Sequence, residues 1–173
     1  MWATLAFALS LAAGAPTAAQ GGDVPQLVRD ACVGTGLDRA AFERLGRERR
    51  WRRVEMTRGG GDRSWIVAFR AEGATVMLMG GSTPTAEAAD MSSCSISVER
   101  APDDLEEQVG DLASALGLMP DGTAEVSSGM VPIRIWSRFG DSTLTLATAP
   151  DGRAVISFSR QHVTYVADQP PVN

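Results

Sequence analysis

The chain has 173 residues, 44% of them hydrophobic and 21% charged, with a formal net charge of −5. An acidic whole argues against a dedicated nucleic-acid binder, whose phosphate contacts need a positive face. Two cysteines and one histidine are too sparse a set of soft ligands for a zinc centre.

Residues 1–19 read as an export signal. Trp2 to Ala13 is apolar and uncharged, Gly14 and Pro16 break it, and Thr17-Ala18-Ala19 is small. That order is the one signal peptidase reads, with cleavage expected after Ala19. The apolar run is shorter than the ~20 residues of a spanning helix. Arg29 and Asp30 precede Cys32 where a lipid-attachment site would need small apolar residues, so the mature product is expected to be periplasmic or secreted and soluble, with no transmembrane segment. Cleavage leaves 154 residues, enough for one core and too few for two domains. The expected division is a domain over 20–168 and a flexible tail over 169–173.

Charge is uneven. Residues 23–70 carry eleven arginines against seven acids, and 71–173 carry five against fourteen. Arg47, Arg49, Arg50, Arg52 and Arg53 cluster around Trp51. Cations suit a helix C-terminus there, and the same cluster offers a patch to an anionic partner.

Helices come first along the chain. Val24, Leu27, Val28 and Ala31 share one face of a short helix, with Pro25 in its first turn. Thr35-x-x-Asp38 makes a capping box, or Asp38 caps alone. Leu37, Ala41, Phe42 and Leu45 then form a stripe that ends between Gly46 and Arg50. Strands follow over 51–56, 64–70 and 74–79. Residues 80–92 read as a small, polar loop, and Ser93 to Arg100 alternates as a strand. Cys32 and Cys94, the only cysteines, are expected to pair and so to tie the first helix to this strand.

The plan then repeats. Leu105, Val109, Leu112 and Leu116 recur at helical spacing after Pro102, with four acids in the first turn. Met119-Pro120-Asp121-Gly122 reads as the helix stop. Strands are expected over 133–138, 142–148 and 154–159, with an edge strand over 163–166. Gly140-Asp141 and Pro150-Asp151-Gly152 supply turns. The expected fold is α+β: an antiparallel sheet of about six to eight strands with two main helices on one face, and an internal α-βββ repeat. The other sheet face is expected to be wet or to curl round a groove.

Chemistry is thinly marked. Gly140-Asp141-Ser142 resembles the GDS nucleophile motif of GDSL-type esterases over three residues. That family carries the motif near the start of the mature chain, leading into a helix, with an Asp-x-x-His near the end. Here a strand precedes it, Thr143-Leu144-Thr145-Leu146 follows it, and Ser159 stands three before His162, so the segment reads as a hairpin turn. No phosphate loop, zinc-protease motif or calcium loop is present. Neither a cofactor nor a metal is expected.

Arg134, Trp136 and Arg138 share one strand face, and Arg160 extends it. If that face is open, the stripe binds an acidic or aromatic partner. The leading functional expectation is a non-catalytic exported binding module whose partner is a protein or envelope component. The alternatives are a small hydrolase using His162 and an envelope structural or assembly factor. Intact mass spectrometry of the exported protein should return a chain beginning at Gln20; a product retaining Met1 to Ala19 would instead make those residues an anchor.

Overall fold

The computed structural model describes residues 23–56, 64–71, 73–82, 89–124, 132–138 and 141–163, with backbone alone at 82, 89–91, 124 and 161–163. The signal, the glycine run at 59–61, the hairpin residues 139–140, residues 164–166 and the tail lie outside them.

Two short helical segments open the described chain. In α1 (Val24–Val28) the Asp23 carboxylate accepts the Gln26 N–H at 3.0 Å, and Pro25 occupies the first turn, where its missing N–H has no helical acceptor to lose. A π-helical turn (Arg29–Val33) continues it and buries Ala31 and Cys32. Thr35 donates its hydroxyl to the Ala31 carbonyl, so Asp38 alone caps α2 (Arg39–Glu48), accepting from the Ala41 N–H at 2.7 Å. Leu37, expected on the helix stripe, instead precedes the helix with φ 61° and is buried.

Among the described residues eight strands follow in one antiparallel sheet: β1 (Arg52–Val54), β2 (Ser64–Ala71), β3 (Ala74–Ser82), β4 (Ala89–Val98), and then, after α3 (Leu105–Ala115), β5 (Met119–Ala124), β6 (Ile133–Arg138), β7 (Ser142–Thr148) and β8 (Ala154–Val163). Their spatial order is β1-β2-β3-β4-β8-β7-β6-β5. Each half of the sheet is therefore a four-stranded meander entered from a helix, and the halves meet where β4 pairs with β8. The repeat is a helix and four strands, one strand longer than the sequence pattern suggests.

Two segments differ from expectation. Met119-Pro120-Asp121-Gly122 is strand β5 as well as a helix stop. It lies at the sheet edge, where Pro costs no ladder bond, and a register shift between Pro120 and Gly122 absorbs the φ of 109° at the glycine. Ser137 donates to the Asp121 carboxylate at 2.7 Å and helps hold the edge. Gly80-Gly81-Ser82 and Ala89 to Ser92 continue β3 and β4. Trp65 is the register partner of Gly80 and lies over it, so that a Cβ at Gly80 would fall 2.5 Å from an indole carbon.

One face of the sheet carries the core. Val67 and Phe69 of β2, Val76 and Leu78 of β3, Cys94 and Ile96 of β4, Ile156 and Phe158 of β8, and Leu144 and Leu146 of β7 are buried in one cluster with Phe42, Leu105, Val109 and Leu112 of the helices. The Cys32–Cys94 disulfide, with Cα atoms 5.4 Å apart, fastens the π turn to the middle of the sheet. No helix among the described residues is long and apolar enough to cross a membrane.

Helix α2 sits close to β2. Phe42 and Phe69 rings are 5.5 Å apart, and a Cβ at Gly46 would meet the Phe69 ring at 2.6 Å. Gly110 in α3 has open space around its Cβ position. Gly46→Ala should therefore lose about 1–3 kcal/mol of stability to overpacking. Gly110→Ala should gain roughly 0.5–1 kcal/mol from helix propensity. Urea unfolding midpoints read both, and a Gly46→Ala midpoint at or above the parent's would remove the close contact from the account. The bond spans a sequence separation of 62 residues. Its reduction should cost about 2–4 kcal/mol in the same assay; an unchanged midpoint would contradict a structural bond.

Candidate functional site

Register decides which way the arginine–tryptophan stripe faces. Along β6, Arg134, Trp136 and Arg138 alternate with Ile133, Ile135 and Ser137. Arg134 pairs with Leu146 and Trp136 with Leu144, both buried leucines, so the stripe belongs to the helix-bearing face. It lies at that face's margin, beyond the centre of the core. Trp136 is half-buried and packs against the cluster. Arg134 meets Glu106 of α3 at 2.9 Å and donates to Thr123 at 3.2 Å, with half of its side chain still exposed. Arg138 is engaged by Asp141 in the β6–β7 turn.

Arg160 reaches the same margin from β8. Its register partners are Ser92 on β4 and Ser142 on β7, and Ser142 in turn pairs with Arg138. The fold thus sets Arg138, Ser142 and Arg160 in one row across three adjacent strands. At ~4.8 Å per strand spacing, the two arginine Cα atoms stand about 10 Å apart with the serine between them. The Arg160 guanidinium carbon lies 5.5 Å from the Phe158 ring centroid. Its Nε is buried and has no hydrogen-bond partner, and the Ser142 hydroxyl, on a residue only 4% exposed, also has none.

Among the described residues two surface depressions lie on the sheet. One, about 250 Å³, lies beside the stripe between Glu106, the Gly122 bulge, Arg134 and Trp136. The other, about 330 Å³, lies at another part of the surface between Arg70, Glu99 and Arg153 over small apolar side chains. It is the larger, but its charges are matched within the chain: Arg70 by Glu99, and Arg153 by Asp151. The Arg153 backbone N–H on the Asp151 carboxylate, opposed by slight desolvation, holds that carboxyl below its usual range. In the depression beside the stripe, Arg134 is matched by Glu106.

The sheet's second face carries hydroxyls. Ser93, Ser95 and Ser97 of β4 stand in register with Ser159, Ser157 and Val155 of β8, and Thr143 and Thr145 of β7 continue two of the rows. Met77, Met79 and Ile66 flank them on one side, Ile133 and Ile135 on the other. Ala68 and Ser95 are buried on this face, and Ala68 stands outside the core cluster.

The remaining candidates are placed as follows. Ser142 opens β7 directly after the turn, and its hydroxyl has essentially no accessible surface, so in this conformation it cannot meet an ester from solution. His162 stands at the end of β8 opposite Asp90, and its side chain lies outside the described residues. Among the described residues no three of His, Cys, Asp and Glu gather closely enough to hold a metal ion. In the basic cluster Arg49 pairs with Asp30 at 2.7 Å and Arg53 approaches Glu43 at 3.7 Å. Trp51 is half-buried, 6.3 Å from the Phe69 ring, and so packs with the core inside that cluster.

The alternation in β6 and β8 was enough to pick out Arg134, Trp136, Arg138 and Arg160. Nothing local marks Ser142 as their neighbour, because the row exists only once β7 is laid between β6 and β8. Comparison of the chain with protein-family models, curated proteins and solved structures finds no match.

Proposed function

We propose that this chain is an exported, non-catalytic binding module of the periplasm or the secreted space, and that it engages a protein or envelope component through the margin formed by Arg134, Trp136, Arg138 and Arg160. The observation that carries this reading is that Arg134, Trp136 and Arg138 share the helix-bearing face of β6, with Arg160 of β8 in the same row as Arg138. A half-buried indole flanked along its strand by two arginines suits an acidic or aromatic partner. Export is supported by the apolar N-terminus and by a disulfide between the only two cysteines, which suits an oxidising compartment.

The arginines are suitable for exchange. The Arg134–Glu106 and Arg138–Asp141 pairs are about half exposed on every side chain, so each adds only ~0–1 kcal/mol to the fold. Arg134→Ala with Arg138→Ala should therefore leave the melting temperature within a few degrees of the parent's. Capture of partners from an envelope extract of the host by mature, oxidised protein should fall about tenfold or more. Equal capture by the double variant and the parent would overturn the proposed face.

A further inference from the structure

We propose that the sheet face turned away from the helices is the contact surface for a second copy of this chain. Four large hydrophobic side chains among the described residues are exposed, and three of them stand on this face: Ile66 at 36%, Val155 at 40% and Met119 at 70%. The fourth, Met56, lies off the sheet. The register puts Ile66 of β2 and Met119 of β5 at opposite ends of one row, six strand spacings apart. At ~4.8 Å per spacing they stand about 29 Å from one another. Burying both takes a cover as wide as the sheet, which no small ligand supplies, and exposed apolar surface of this extent marks an interaction site. The depression of about 330 Å³ occupies only the end row of the face, from Arg70 and Thr75 to Val155 and Ala147, and reaches neither Ile66 nor Met119.

The chemistry of the face selects the occupant. Between its apolar residues lie the serines of β4 and β8 and the threonines of β7. Among the described strand residues this side carries no charge inside its rim: Arg52 and Arg70 stand at one end, and Asp121 at the β5 edge. The aromatic residues of the described strands, Trp65, Phe69, Trp136 and Phe158, all stand on the helix side. A membrane surface is met by basic and aromatic side chains, and a charged partner by opposite charge; the interior of this face offers neither. A second copy needs neither. A twofold contact sets one patch against itself, so the patch must be self-complementary. Hydroxyls both donate and accept, and uncharged side chains meet their own copies without repulsion. The sheet edges are poor alternatives: β1 is three residues long with two arginines, and β5 carries Pro120 and a bulge.

The size agrees. Eight strands span about 34 Å and three rows of outward residues about 20 Å, a face of roughly 700 Å². Each partner of a standard interface contributes ~800 Å². Two such sheets stack as an aligned sandwich with faces about 10 Å apart. The helix-bearing faces and their Arg134–Trp136–Arg138 stripes stay outward, so pairing is independent of partner capture there and doubles the number of stripes presented.

Sedimentation equilibrium of the mature, oxidised protein from about 1 µM to about 1 mM should show a monomer–dimer equilibrium with a Kd of about 1–100 µM. Ile66→Arg with Val155→Arg sets like charges across the contact and should weaken association about 100-fold or more. Arg134→Ala with Arg138→Ala, on the other face, should leave association unchanged. Methyl NMR of the parent over the same dilution series reads the face without any substitution. The Ile66 and Met119 methyl signals should shift with concentration, and those of Met56 and the buried Ile96 should not. Parental association in the Ile66→Arg, Val155→Arg protein, or Ile66 and Met119 signals unmoved while the mass doubles, would overturn the assignment. A monomer throughout would also overturn it, and would leave the face to a partner other than this chain.

Discussion

The pairing of β4 with β8 is the constraint on which the rest of the structure depends. Among the described residues it is the only strand-to-strand join between the two halves of the sheet. Its register, with Cys94 opposite Phe158 and Ile96 opposite Ile156, sets which face of both central strands is buried. A slip of one residue would turn the serines of β4 toward the helices and expose Cys94. The disulfide could not then form without backbone movement. The same register passes through β8 to β7 and so sets Arg160 beside Ser142. Core, covalent tie and candidate site follow from one strand pair.

The halves built on this seam are alike in plan and unlike in charge. Each is a helix leading into four antiparallel strands. The segment holding α2, β1 and β2 is rich in arginine, and the segment from β3 onward is acidic. The sites differ accordingly. In the first half the tryptophans serve packing: Trp51 approaches Phe69, and Trp65 covers Gly80 with Arg39 over its ring at 5.6 Å. In the second half Trp136 sits between arginines at a margin whose polar atoms are not all matched.

Much of the fold could be read from local pattern. The stripes of α2 and α3, the alternation of β2, β7 and β8, the turns at Asp141 and at Asp151-Gly152, and the pairing of two lone cysteines each rest on residues close in sequence or on composition. What escaped rests on partners far away. Strand β5 contains Pro120 and Gly122, both depleted in strands, and only its edge position with a bulge makes them acceptable. The ends of β3 and β4 carry glycines and other small residues that give no strand pattern, and Trp65 of β2 lies over Gly80 there. Along β6 both alternating sets mix polar and apolar side chains, so periodicity could not say which faces the helices. Leu144 and Leu146 answer that, from the next strand. The site was half readable for the same reason: its arginines were visible, its buried serine was not.

The account stands on one cooperative sheet closed at the β4–β8 seam, and native-state amide hydrogen exchange tests that most directly. The amides of Cys94, Ile96, Ile156 and Phe158 should be among the slowest in the protein and exchange only through global unfolding, with protection falling outward toward β1 and β5. If the seam amides exchanged as fast as the edge strands, or the two halves opened with independent free energies, the register that positions the disulfide and the Arg138–Ser142–Arg160 row would be contradicted.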